Sequence, residues 1–396
     1  MSPVADAAAI DAFLEIFEAA WAFPRSDEWR SRIAVDLSRE QAVAAHLDDR
    51  MVGTSMSFSM ELTLPGAVPA PMAGVSYVAV HPLFRRRGVL RALMRHQLDG
   101  LISEGVALAG LGASEAEIYG RFGYGPATRE IRWRCARGAR LRAGEPDPGS
   151  LALVGDEEAR RILPAVHDAA RRRQVGEVRT YPGRWHDLIS ADRCFLVHSD
   201  GHGRRDGYAI YRLERPEQFS AHGTLIVEHL VSASDAAYRS MWAFLLDLDL
   251  TGQVEAGGRP ESEPLQWMLR DPRRLVVTDV RDHLWLRLVD LPAALAARRY
   301  GAEGSLVLEV ADDFCPWNEG RWDLEAGPDG ATCRPAARSR GTDLRLTASV
   351  LASLYLGTAP LAGLATAGRL RGDAPVLERA AAMFGTLGTP WCSLGF

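Results

Sequence analysis

Two groups of residues in the first third of this 396-residue chain have types and spacing suited to chemistry. The first is a basic turn, Arg85-Arg86-Arg87-Gly88-Val89-Leu90, continued by Arg91. An apolar run, Gly74–Val80, leads into it, and an amphipathic run follows at once. The first amides of a helix lack intrahelical partners and sit at the positive end of the helix dipole. Gly88 lets the backbone come close to a ligand. The arginines add charge-assisted contacts to phosphate oxygens. The turn therefore reads as an anion cradle, although three arginines before a helix also suit a solvated surface. The second group is Ala113-Ser114-Glu115-Ala116-Glu117-Ile118-Tyr119-Gly120-Arg121-Phe122-Gly123-Tyr124. Ser114 and Glu117 have the S-x-x-E spacing of a capping box, which predicts a helix beginning at Ser114 with Tyr119 just over one turn in. A phenol, with a pKa of about 10, is protonated at pH 7 and can serve as a proton donor. The competing reading makes Tyr119 a core residue beside Phe122, and Tyr124 is a second tyrosine candidate.

Elements of alternating type must position these residues. Apolar spacing predicts a helix over residues 10–23 and strands over 51–60 and 73–80. A helix follows over Val89–Ser103, its apolar face formed by Leu90, Leu93, Met94, Leu98, Leu101 and Ile102 and its end marked by Gly105. Short strands are expected at Val106–Gly112 and Ile131–Arg134. The Pro/Gly-rich segment Arg140–Gly149 marks a boundary. Beyond it the rhythm continues with a helix near Glu157–Arg173, strands at Cys194–His198 and Tyr208–Leu213, a helix near Ala236–Leu246 and a turn cluster at Gly257–Pro264. From about Leu291 a third region opens with a strand at Ser305–Val310 and closes rich in helix. The uncharged stretch Leu346–Gly368 reads as two buried helices broken near Gly357–Pro360, because Pro360 and its glycines do not suit a membrane span. These elements divide the chain into residues 1–145, 146–290 and 291–396.

Composition narrows the function classes. Hydrophobic residues make up 47% and charged residues 24%, and the net charge is -5, which does not favour nucleic acid or an anionic membrane. The chain contains no lysine, so all 46 of its Lys+Arg residues are arginine. The five cysteines, Cys135, Cys194, Cys315, Cys333 and Cys392, are odd in number and widely spaced, which fits a reducing cytoplasm and neither a disulfide framework nor a zinc site. No metal is expected: His81, His96, His167 and His186 are scattered, and Phe314–Trp317 interrupt the acidic run Asp312-Asp313…Asn318-Glu319.

The order strand, basic Gly turn, helix, strand, tyrosine-bearing helix resembles the acetyl-CoA site of GNAT N-acetyltransferases. Their loop has the form R/Q-x-x-G-x-G/A. Arg85-x-x-Gly88 matches it, and Leu90 replaces the last small residue. Gly74–Val80, Arg85–Arg91 and above all Ala113–Pro126 are similar to one group within that class, the enhanced intracellular survival (Eis) acetyltransferases, with agreement in chain length and in the C-terminal aromatic residue. The resemblance implies an α/β (α+β) fold of two tandem GNAT-like domains with mixed sheets, the second without cofactor, plus a C-terminal domain similar to sterol carrier proteins. It implies a homo-hexamer. It implies acetyl-CoA along Val78-Ala79-Val80, over Arg85, Arg86, Arg87, Gly88, Val89, Leu90 and Arg91, and against Ser114 and Glu115. Tyr119 would be the general acid and the α-carboxylate of Phe396 the general base. Acceptors would be primary amines of aminoglycoside, polyamine or lysine type, in a pocket that includes Trp29, Arg30, Ser76 and Tyr77.

The chain departs from the group at that pocket. Gly395 precedes the last residue, and Ala19–Phe23 carries no acid, where some relatives carry carboxylates. Asp27, Glu28 and Glu61 are candidate substitutes. Fewer carboxylates should weaken binding of polycationic aminoglycosides. An alternative reading is a degenerate GNAT/sterol-carrier-like protein that binds an apolar small molecule without catalysis.

Overall fold

The computed structural model describes residues 1–4, 6–38, 40–215, 222–358 and 360–396. Three mixed sheets organise them. The first runs in the order Ser2–Pro3, Gln41–Leu47, Arg50–Leu64, Val68–Val80, Leu108–Gly112, Leu284–Leu288, Gly125–Pro126, and Val178–Arg179 adds to the far end of Arg50–Leu64. The second orders Leu275–Asp282, Arg129–Ala136, Thr251–Pro260, Gly223–Ser232, Arg205–Glu214, Cys194–Ser199 and Ser150–Val154. The third orders Gly330–Pro335, Gly320–Gly327, Gly304–Ala311, Leu344–Thr347 and Leu370–Arg371.

The helices over the first sheet follow from local chemistry. Ala7–Trp21 starts where the Asp6 side chain accepts from the Ala9 amide, and it buries Phe13, Leu14, Ile16 and Phe17 on the sheet. Asp27–Leu37 starts at Ser26, whose hydroxyl caps the Trp29 amide. Val89–Ser103 covers the opposite face with Val89, Leu93, Met94, Leu98 and Leu101. Each fully buried side chain of this size contributes roughly 1.5–3 kcal/mol, so one such stripe outweighs the weak intrinsic stability of a 15-residue helix.

Sheet membership interleaves along the chain. The strand Arg129–Ala136, which lies before the Pro/Gly-rich segment, already belongs to the second sheet. The segment 140–149 is a loop of that same unit, where Leu141 bridges Leu269. Conversely, Leu284–Leu288 returns to the first sheet and pairs with Leu108–Gly112. The long strand Arg50–Leu64 joins Val68–Val80 through a tight turn with Gly66 at φ +84°.

Several local expectations are corrected. The short helix begins at Ala116, not Ser114. Glu115 occupies the cap position, and neither it nor Ser114 caps through a side chain, so no capping box forms. The segment expected as a turn at Gly257–Pro264 begins inside the strand Thr251–Pro260, where a bulge with Gly258 at φ +61° absorbs the two glycines. Of the two helices in 346–368, Ala348–Leu354 is buried along most of its length, whereas Leu361–Thr366 buries only Leu361. Among the described residues no helix is long and apolar enough to cross a membrane.

Candidate active site

The first sheet opens at its centre. Val68–Val80 and Leu108–Gly112 pair in parallel at two positions only, Ala73 with Ala109 and Gly74 with Gly110. Beyond these, Leu111 and Gly112 stay paired to Leu284–Leu288 on the other side, and Ser76–Val80 veers away. A bulge drives the divergence. Ala79 faces Thr54 and Ser76 faces Met56, so Tyr77 and Val78 together oppose a single residue, and Tyr77 adopts φ +51°. A bulky residue held at positive φ is strained, and such strain gathers at ligand sites. The result is a wedge between the two strands, open beyond Gly74 and Gly110.

The basic turn lies at the open end of this sheet. Gly88, at φ +80°, is the N-cap of Val89–Ser103 and makes no side-chain cap. The first helical bond runs from the Ala92 amide to the Gly88 carbonyl, leaving the Val89, Leu90 and Arg91 amides ahead of it for an anion. Arg86 also adopts positive φ, at +61°. Arg85 donates to the Ala20 carbonyl at 3.1 Å, so its guanidinium braces the end of Ala7–Trp21. Arg87 stacks on Phe84, and Arg91 on Phe314.

A cavity of about 370 Å³ extends from the wedge. Val75, Ser76, Tyr77 and Val78 form one wall and Leu111, Gly112 and Ser114 the facing one. The first two helices contribute Phe17, Trp21 and Trp29, the loop between them Arg25, and the second domain Tyr181, Arg184 and Asp187. Tyr119, Gly395 and Phe396 complete the lining, so the structure brings together Tyr119, Phe396, Trp29, Ser76, Tyr77, Val78 and Ser114. It does not bring Arg30 there: Arg30 pairs with Glu18 at 2.8 Å and Asp11 at 3.8 Å. The substitute acids fail as well. Asp27 and Glu28 lie exposed in the first turn of their helix. Glu61 is held by Arg171 at 2.5 Å and lies 3.6 Å from Arg179. Asp187 is the one carboxylate side chain in the lining, and it pairs with Arg32.

Tyr119 is 8% exposed, with the edge of its ring toward Tyr124 at 6.1 Å between centroids. Burial, helped by the Glu115 carboxylate, pushes its phenol up to about 12. It is therefore protonated at all physiological pH values and acts as a donor. Tyr124 is fully buried and lies outside the cavity lining.

Phe396 arrives by a tethered tail. The Trp391 amide donates to the Val175 carbonyl at 2.9 Å and its indole to the Gly258 carbonyl at 3.0 Å. The Ser393 amide donates to both Glu177 carboxyl oxygens, at 3.2 and 3.0 Å, and the Ser393 hydroxyl lies 2.8 Å from His229 Nε2. The Phe396 ring then lies over Gly74, where an added Cβ would come within 3.1 Å of it. Glu177 is 1% exposed, and burial pushes its carboxyl up to about 7 against the lowering effect of the Ser393 hydrogen bonds. Burial pushes the neighbouring His167 down to about 4 and lowers His229 as well.

Sequence reasoning did not single out Phe17, Trp21, Arg25, Tyr181, Arg184 or Asp187. Trp21 carried a usable signal: it stands four residues after Phe17, a spacing that puts both rings on one helix face, where they meet at 5.7 Å. The three second-domain residues carried none, since only the domain packing brings them to the cavity.

Comparison with known proteins fits this geometry. Residues 4–127 and 172–288 each match the acetyltransferase (GNAT) domain, and residues 291–393 match the sterol carrier protein domain. The molecule is thus an acyltransferase, an N-acetyltransferase of the GNAT class with a C-terminal sterol-carrier-type domain. An uncharacterized N-acetyltransferase of Streptomyces avermitilis is 38% identical over 369 residues, covering 88% of this chain and 87% of that one. N-acetyltransferase Eis of Mycobacterium tuberculosis is 34% identical over 374 residues, covering 90% and 88%. The crystal structure of Eis1 from Mycobacterium abscessus superposes with a TM-score of 0.88 at 32% identity, covering 99% and 98%. The chain belongs to the Eis family of N-acetyltransferases.

Proposed function

We propose that the chain moves an acetyl group from acetyl-CoA to a primary amine of aminoglycoside, polyamine or lysine type by direct attack in a ternary complex. The observation that carries this reading is the meeting of Tyr119 and Phe396, 277 positions apart in the sequence, in one cavity at the mouth of the split sheet.

The residues fit the cosubstrate. The Val89, Leu90 and Arg91 amides with Arg86, Arg87 and Gly88 would hold its diphosphate, and Arg85 would support the turn from behind. The free edge of Val78-Ala79-Val80 would accept the amides of the pantetheine arm, with Ser114 and Glu115 on the facing side. Acetyl-CoA supplies an acetyl group activated as a thioester. Aromatic walls orient the amine beside that thioester. The amine attacks in its neutral form, its ammonium proton having gone to solvent, and the α-carboxylate of Phe396 accepts the next proton from nitrogen, directly or through a water. Its reference pKa of about 3.3–3.7 makes it a weak base, so it takes the proton as the C–N bond forms and positive charge develops on nitrogen. Tyr119 gives its phenolic proton to the sulfur as the C–S bond breaks, and solvent returns that proton. The products are an N-acetylamine and the free thiol.

The family resemblance further supports a hexamer in the cytoplasm. The exposed strand Leu275–Asp282, with Val276, Val277 and Val280 at the surface, offers apolar area for self-association. The alternative of a non-catalytic binder of apolar molecules finds little support in the third domain. The cleft there is lined by Glu309, Glu319, Arg321, Arg345, Arg369 and Arg371.

The test is thiol release from acetyl-CoA across aminoglycosides, polyamines and lysine peptides, with Phe396 deleted as control. Release that requires both an amine and Phe396 is expected. Ping-pong kinetics would rule out direct transfer, and failure to bind acetyl-CoA would rule out the enzyme reading.

A further inference from the structure

The cavity lining carries two guanidinium groups against one carboxylate side chain, Asp187, which Arg32 already engages. The two are Arg25 and Arg184. Each has a buried Nε with no hydrogen-bond partner among the described residues. Arg25 is held by rings rather than by a carboxylate, 4.8 Å over Phe23 and 5.4 Å over Trp29. Arg184 has Asp187 at 3.9 Å, but Asp187 is already engaged by Arg32. Burial lowers the Arg184 guanidinium below its usual range, and Arg193 and Arg32 add to that effect. Two partly desolvated guanidinium groups with open donors are a receptor for an oxyanion.

Size and shape point the same way. At about 370 Å³ the cavity is at the small end for ligand sites, and it must also take the acetyl thioester. Its apolar wall is aromatic: Phe17 stacks on Trp29 at 5.9 Å and tilts against Tyr77 at 5.0 Å. Such a space suits an acceptor of single-ring size.

Resting on the acetyl-transfer reading, we propose that the acceptor is a small zwitterion, an amine that also carries a carboxylate or phosphate group, with the oxyanion held by Arg25 and Arg184 and the nitrogen turned toward the Phe396 carboxylate. Fixing opposite charges at two ends of a small molecule aligns its nitrogen with the thioester, which one contact alone would leave free to swing. Of the acceptor types named above, the arginines then favour the lysine type over aminoglycosides and polyamines, whose charges are all positive.

The experiment compares matched pairs by thiol release: phenylalanine with phenethylamine, lysine with cadaverine, phosphoethanolamine with ethanolamine. A zwitterion is expected to exceed its uncharged-end partner at least about tenfold in kcat/KM, an order set by one charge-assisted contact. The pair that shows the preference tells carboxylate from phosphate. Arg184→Gln and Arg25→Gln should bring that ratio toward one, chiefly through KM. Arg204→Gln, on an exposed turn of the second domain, should keep it. Equal or better turnover of the simple amines by the unaltered enzyme overturns the proposal and leaves acetyl transfer standing. A ratio unchanged in both cavity variants overturns it too. No release with any member of any pair, while an aminoglycoside or polyamine is acetylated, overturns the proposal alone, and no release with any of these amines overturns both.

Discussion

Tyr119 and Glu177 are both buried titratable groups, and burial has opposite uses for them. At Tyr119 it keeps the phenol protonated, so under the proposed role the rate should not fade through its titration between pH 6 and 9. Tyr119→Phe removes the proton but keeps the ring. Turnover should fall about 100-fold or more with acetyl-CoA binding within about twofold, as measured by steady-state kinetics and calorimetry. An unchanged rate would mean that water protonates the sulfur. At Glu177 the folded-state pKa of about 7 lies above the usual carboxylate range. The Glu177 carboxyl therefore binds more protons folded than unfolded between about pH 4.5 and 7, and its contribution to stability falls as pH rises through that window, while the lowered His167 and His229 contribute the opposite slope. Glu177→Gln keeps an acceptor for the Ser393 amide and abolishes the carboxyl titration, so the variant's Tm should rise relative to that of the unaltered protein as pH goes from 4.5 to 7. Tyr119 was legible in the sequence because its neighbours on either side form one continuous motif. Arg184 was not, because its chemistry exists only where two domains meet. Arg30 misled for a related reason: a side chain next to Trp29 in sequence points to the other face of a helix and finds Glu18.

Among the elements, the split sheet and the turn beside it set what can bind. Gly88 has open space around its Cα, so a methyl group would fit, but its φ of +80° is costly for any other residue. Gly88→Ala should destabilise by about 1–2 kcal/mol in urea titration and weaken acetyl-CoA binding, because relief of the strain would rotate the first amides of the helix. Gly74→Ala acts on the tail instead. Its Cβ would meet both the Met60 sulfur and the Phe396 ring, shifting the terminal carboxylate. A displacement of about 1 Å can cost on the order of 100-fold in rate, so kcat should drop by that order while the affinity for acetyl-CoA holds. The helix Val89–Ser103 was legible because its burial stripe has a 3.6 period. The bulge at Tyr77 was not, since a two-residue mismatch in pairing leaves no mark in a strand of ordinary composition.

Across the whole molecule, exchanged strands and a buried ion pair make the three sheets depend on one another. Arg287, on the strand that returns to the first sheet, pairs with Asp312 of the third domain at 2.5 Å, and both are almost fully buried. Asp312 also accepts from the Cys315 amide at 2.9 Å, which explains the acidic run there as a structural joint. Asp312→Ala leaves a buried guanidinium unpaired and should cost about 3–5 kcal/mol. Calorimetry should show the transition of the whole chain moving, not that of one domain. The interleaving of the sheets was not legible, because strands give no sign in sequence of which sheet they join: Arg129–Ala136 precedes the Pro/Gly-rich segment yet pairs within the second sheet. The tail has a consequence for how the protein is handled. It is tied to the second domain at Val175, Gly258 and Glu177 before it reaches Gly74 of the first, so a single proteolytic cut just before Trp391 would release one clasp from two domains at once.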